Sequence, residues 1–354
     1  MRGLVAGLLG AVLLPGSGAA VAEPWLAVRE GLTCGSCHFN PTGGGMRSAF
    51  GIAYAQQQLP ARPLGEGEPA WSGTLTAPVR LGADARASAR QSERDDQDDH
   101  LDFGVDRVSL YLGAELGSAT LYVDQQVAPG GSLNREAWAR LDWNEWYLKA
   151  GRLFLPFGWR LEDDTALVRE VTGVNMTQGD DGLELGYEAG RVSVQIAATN
   201  GNGGGPEQDD GKLFTARAAL VQPTWQIGLS GYRNDTDNGD RTIGGVFAGL
   251  RSGPVVWLAE VDHIDDQPDD APDAEQQVAL LEASVVLGRG HSVKLTAEAL
   301  FPDEGEDQYR FSAVYEWFPV PYTQLRLGVR ARDSDDEAAA LNSEQAFVQM
   351  HLFL

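Results

Sequence analysis

The sequence is short of three things. It has two cysteines in 354 residues, and both fall between positions 34 and 37, so a disulfide-built scaffold is excluded. It has no apolar run of the roughly 20 residues that a membrane-spanning helix requires: the stretch from Leu4 to Leu14 stops well short, and no later segment supplies one. Positive charge is also scarce, with 27 Lys and Arg against 51 Asp and Glu and a net charge of −24. A nucleic-acid partner needs clustered cations to meet phosphates, so that class is excluded as well.

What is present begins with Met1 and Arg2, the apolar run, and small residues ending Ala20-Val21-Ala22. That order is the pattern of a secretory signal peptide over residues 1–22, with cleavage expected after Ala22.

From Trp71 onward one device repeats: a segment of alternating apolar and polar residues, a turn, and another such segment. Leu75, Ala77, Val79, Leu81, Ala83, Ala85 and Ala87 share one parity, while Thr74, Arg80, Asp84 and Arg86 share the other. Counting from 73–90 and 101–116 through to 322–332 and 343–354 gives about sixteen strands, an even number, as single-chain outer-membrane barrels have. Short links such as Gly117-Ser118, Ala189-Gly190 and Ser252-Gly253 take turns with longer acidic ones. Short periplasmic turns and long outer loops predict that alternation. Trp138, Trp143, Trp146, Trp225, Trp257, Trp317, Tyr315 and Tyr322 fall near segment ends, where aromatic girdles are expected. The fold predicted is therefore all-β: a transmembrane antiparallel β-barrel over 73–354 in the bacterial outer membrane, in contact with its lipid. The long link Trp159–Asp181 either folds into the lumen as a constriction or covers the outer mouth.

Between leader and barrel lies Cys34-Gly35-Ser36-Cys37-His38, the spacing of covalent c-type haem attachment. Two thiols add to the two vinyl groups on one porphyrin edge, and the adjoining His38 reaches the iron as its proximal ligand. A thioredoxin-like context for a redox disulfide is missing, and so is the second ligand pair of a zinc site. One haem c is expected, carried by a segment over 23–58 that a linker, 59–72, joins to the barrel. The glycines of Asn40-Pro41-Thr42-Gly43-Gly44-Gly45-Met46-Arg47 allow backbone to lie against the porphyrin, and Ser48–Gln58 suits a short helix. A segment this small builds no core of its own and is expected to lean on the barrel, inside its periplasmic mouth.

For the distal iron ligand the candidates are Met46 and His351, then His291, with an open position as the remaining case. Inward-pointing arginines on the first and fifteenth strands, among them Arg80 and Arg330, are candidate partners of the haem propionates. The same arginines suit better a generic porin wall in which they face acids across the lumen.

A leader, one haem motif and a barrel of this size resemble, in that order, the fused monohaem c-type cytochrome–porins of the bacterial outer membrane, known from iron-oxidising bacteria. The resemblance rests on organisation and on Cys34, Cys37 and His38. Asn40–Arg47 is not shared with the iron-oxidising members; it is similar to a segment that follows the haem motif in some exported bacterial cytochromes. The resemblance implies an electron carrier and not a conventional enzyme, with electrons moving between an extracellular redox partner or metal ion, such as iron, and a periplasmic c-type cytochrome. The alternative expectation is a solute-transporting porin whose haem segment is a plug or sensor.

Overall fold

Backbone amides in a bilayer must find partners without water, and a sheet closed on itself leaves no edge to satisfy. The computed structural model describes residues 23–354 apart from 66–67, 69, 95–96, 164, 175–178, 208 and 335–341; the leader over 1–22 lies outside the described residues. Sixteen antiparallel strands form the wall: Val79–Arg94, Gln97–Leu116, Ala119–Ala128, Leu133–Trp143, Trp146–Leu153, Asp180–Ala189, Val192–Thr199, Leu213–Val221, Trp225–Thr236, Gly239–Ser252, Val255–Pro268, Ala274–Gly288, His291–Pro302, Gln308–Trp317, Thr323–Ser334 and Ser343–Phe353. Each pairs with its neighbour in sequence. The last returns to the first in a register running from Ser343 opposite Arg94 to Phe353 opposite Asp84, which closes the barrel.

The alternation expected from the sequence becomes an inverted protein. Leu101, Phe103, Leu112, Leu185, Ile196, Phe214, Leu229, Val246, Val261 and Phe311 all point outward, Phe103 with 74% of its surface exposed. Asp84, Ser109, Glu136, Lys149, Glu184, Gln195, Asp262 and Glu316 point inward and are buried. An apolar exterior and a charged interior are what a strand wall between lipid and lumen requires.

Two details differ from the sequence reading. The first segment is not one strand from residue 73: a short strand, Thr74–Thr76, ends at the Ala77-Pro78 turn, and the wall starts at Val79. Proline interrupts the ladder because it has no N–H to give. Trp138 is not a girdle residue but a buried one, facing inward against Tyr122. Trp143, Trp146, Trp225 and Trp257 are exposed, as girdle residues should be.

The lumen is filled from both ends. The described residues of 154–179 fold inward and include the helix Leu167–Thr172, whose Leu167 and Val168 are wholly buried against Ile264, Val278, Leu280 and Leu300 of the wall. The link is thus a luminal loop. At the end where the short turns gather sits the N-terminal segment with three helices: α1 (Pro24–Glu30), α2 (Cys34–Cys37) and α3 (Ala49–Gln57). Proline opens α1 and Gly31 ends it in the left-handed region, packed on Pro223 of a short turn. The Ser48 hydroxyl caps α3 by accepting from the Gly51 amide. Both ends of the linker meet the mouth: Ala61 N–H donates to the Phe318 carbonyl (2.7 Å) and Trp71 N–H to the Tyr322 hydroxyl (3.1 Å).

Candidate functional site

Cys34 and Cys37 stand one helical turn apart on α2, so their thiols share a face, and both are free. His38 follows as the chain leaves the helix, and its backbone pairs with Arg47 in an antiparallel bridge. The intervening turn is shaped by Asn40, whose side chain accepts from the amide and hydroxyl of Thr42 and donates to Glu136 of the wall at 2.9 Å. Gly44 and Gly45 both adopt positive φ, and a Cβ on Gly44 would come within 2.6 Å of Arg160. A side chain at Gly44 would displace the Arg160 guanidinium, and the left-handed φ strains any residue with a Cβ.

These residues surround a cleft that is partly open to solvent. Cys34, Cys37, His38, Gly43 and Gly44 form one side; Leu26, Leu32, Phe50, Ala55, Leu59 and Trp159 supply apolar lining. Three cations reach it: Arg47, Arg160 and Arg217. Arg160 lies over the Phe154 ring at 4.2 Å and donates to the Gly43 carbonyl; Arg217 lies over Phe247 at 4.5 Å and donates to the Gly158 carbonyl at 3.0 Å.

Burial, with Arg47 and Arg160 beside it, pushes the His38 ring down from about 6.5 to about 3, against the backbone of Gly45 and Gly44. The ring is therefore neutral, the form that ligates a metal. Its Nδ1 is buried with no hydrogen-bond partner among the described residues. Burial also raises both thiols, Cys37 to about 11, with Arg47 opposing there and Arg217 and Arg160 opposing at Cys34. A neutral imidazole, two free thiols on one face, an apolar cleft and converging guanidinium groups fit a c-type haem.

The other residues singled out in the sequence do not converge on this cleft. Arg80 pairs with Glu115 at 2.7 Å near the rim. Arg330 is 2.7 Å from Asp163 of the luminal loop, so it anchors that loop and does not reach the cleft. Arg86, Arg326 and Arg332 are likewise paired with acids, as in a porin wall. Met46 is buried with Phe39, Tyr111, Tyr122 and Trp138 on the far side of its bridge. His351 has both ring nitrogens engaged, Nδ1 with Gln324 (2.7 Å) and Nε2 with Asp84 (3.0 Å). Arg160 and Arg217 are the cations that sequence reasoning missed. Arg217 had a signal, since it shares the inward parity of Thr215 and Ala219.

A closed sixteen-strand wall, an inverted surface and an infolded loop define a barrel of the porin type. Among solved structures, the chain is similar to an anion-selective porin from Comamonas acidovorans (TM-score 0.66, 14% identity, covering 77% of this chain and 98% of that one). It is also similar to the outer membrane channel DcaP of Acinetobacter baumannii (TM-score 0.58, 14% identity, 77% and 96%) and to OprB of Pseudomonas putida (TM-score 0.60, 10% identity, 78% and 94%). No protein-family model matches the chain, and no curated protein matches it either.

Proposed function

We propose that this chain is an outer-membrane barrel of porin type whose periplasmic mouth is closed by a segment carrying one covalent c-type haem, and that it passes electrons across the membrane. The observation that carries the reading is the convergence of Cys34, Cys37, His38 and three arginines on one apolar cleft inside the barrel. A bilayer insulates over about 30 Å, and an electron crosses only if a redox centre is held within that thickness. Haem, when bound, supplies a reversible one-electron couple. The residues do the rest: the α2 thiols fix its edge, neutral His38 offers a ring nitrogen, and Arg160 and Arg217 are placed to pair with propionates. The wall and the apolar lining exclude water, which tunes the potential. Extracellular redox partner or metal ion and periplasmic cytochrome then meet opposite ends of the barrel.

The second reading is a solute-transporting porin in which the segment is a plug or sensor. It is the reading that the likeness to solved porins favours. The occupied lumen, with Trp25, Val28, Trp159 and Leu167 each at most 2% exposed, fits a plugged porin and a haem conduit alike.

Reconstitution in liposomes loaded with a redox dye separates the two. Electron flux that is lost in Cys37→Ala while solute leakage stays unchanged supports the conduit. Flux that Cys37→Ala leaves unchanged rejects it.

A further inference from the structure

Pairing of His38 with Arg47 sends those two side chains to one side of a two-stranded ribbon and those of Phe39 and Met46 to the other. The Met46 sulfur is seated on the wall, 3.2 Å from where a Cβ on Gly113 would lie, and the Met46 amide donates to the Tyr122 hydroxyl at 3.0 Å. Turning this methionine toward the cleft would break that bridge and empty an aromatic cluster. His351 is held between Gln324 and Asp84. His291 Nδ1 meets the Tyr315 hydroxyl at 2.6 Å, and its ring stacks on Trp317. His263 is exposed beside Glu275, and His100 is exposed on the second wall strand. Met350 points outward; Met1 and Met176 lie outside the described residues.

Within the cleft, besides the two thiols and the guanidinium groups, the side-chain donors are His38 and the oxygens of Glu23, Glu30, Thr33, Thr42 and Tyr54, the Thr33 hydroxyl being 3.3 Å from that of Ser36. Most of those oxygens are already engaged. Glu23 accepts from Trp25, Lys294 and Gln324, Tyr54 donates to Glu30 at 2.9 Å, and the Thr42 hydroxyl donates to Asn40. Thioether formation consumes the thiols, and guanidinium groups stay protonated.

We infer that, on the haem reading above, His38 is the one strong-field protein ligand the described residues offer the iron. The other axial position is a binding site for a small exogenous ligand. Its chemical class is set by the metal: a π-accepting diatomic such as carbon monoxide for the ferrous state, cyanide for the ferric. Because axial ligation sets haem potential, capture of such a ligand regulates electron passage at this site.

The test uses the full-length protein purified in detergent. Its ferric form is examined by absorption and electron paramagnetic resonance, and its dithionite-reduced form is titrated with carbon monoxide. The expected result is a high-spin ferric signal that cyanide converts to low spin, and complete conversion of the ferrous spectrum by carbon monoxide. Met46→Leu and His351→Gln keep the wild-type spectrum. A low-spin wild-type spectrum that carbon monoxide leaves unchanged overturns the inference, as does a change of spin state in either variant. Protein with haem but with that inert spectrum rejects this inference alone; protein with no thioether-bound haem rejects the function proposed above as well.

Discussion

The hydroxyl of Tyr122 occupies the place where a side chain on Gly45 would begin, and it accepts a hydrogen bond from the next amide, that of Met46, at 3.0 Å. A residue of the wall thus dictates the conformation of the turn beside His38. Gly45→Ala adds a steric overlap to a left-handed φ that costs a non-glycine residue about 1–2 kcal/mol. Its expected outcome is a large fall in covalent haem content on a haem-stained gel. Adding Tyr122→Phe relieves the overlap and restores part of the haem; no restoration would mean that Tyr122 does not shape the turn.

Asp163 lies 2.7 Å from both Arg310 and Arg330, and so latches the luminal loop to two wall strands. Burial alone would raise its pKa, but Arg330 and Arg310 outweigh it and hold the carboxyl well below the ordinary 3.8. The folded state therefore favours the carboxylate, and the latch stabilises at pH above about 4 and weakens as pH falls below that. Acrylamide quenching of tryptophan, with Trp159 buried within the same loop, is expected to rise on acidification. Asp163→Asn produces the rise at neutral pH and costs about 3 kcal/mol, since it leaves buried guanidinium groups short of a partner.

Arg217 brings a positive charge to the cleft from the wall. A nearby cation disfavours the ferric state, so Arg217→Gln is expected to lower the reduction potential by on the order of tens of millivolts. An optical redox titration reads this directly. An unchanged potential would place Arg217 outside the field of the haem.

Removal of residues 23–70 leaves all sixteen wall strands and their register untouched. Liposome swelling with a small sugar is expected to be faster for this deletion than for the full chain, because α1 to α3 no longer occupy the lumen. Equal swelling would mean that the segment does not limit passage.

The barrel is readable because a two-residue period runs through most strands, broken in Gln97–Leu116 by a bulge at Asp106: lipid and lumen impose opposite chemistry on alternate positions. Strand number, closure and most of the outward aromatics followed from it. Trp138 departs from the girdle pattern because it joins an inward cluster with Tyr111, Tyr122 and Leu153 of the wall, which Phe39 and Met46 of the docked segment complete. Parity alone offers Arg80 and Arg330 as haem partners. Parity gives the face of a strand but not the depth, and depth decides that Arg330 meets Asp163 while Arg217 meets the cleft. Arg160 carries no periodic signal at all, since it lies in the luminal loop. Met46 was near in sequence, but one backbone bridge turned it away.

The N-terminal segment touches the wall at points spread around its circumference: Asn40 on Glu136, Gly31 on Pro223, Ala61 on Phe318, and Arg47 over Phe353 of the closing strand. It acts as the spokes of a wheel act on a rim. An empty strand cylinder can flatten, because its hydrogen bonds resist shear better than they resist ovalisation; one braced at four bearings holds a round mouth. The cleft and the barrel seam are therefore joined through Arg47, which lines the one and lies over Phe353 of the other, so a change that loosens the hub reaches the place where the first and last strands meet.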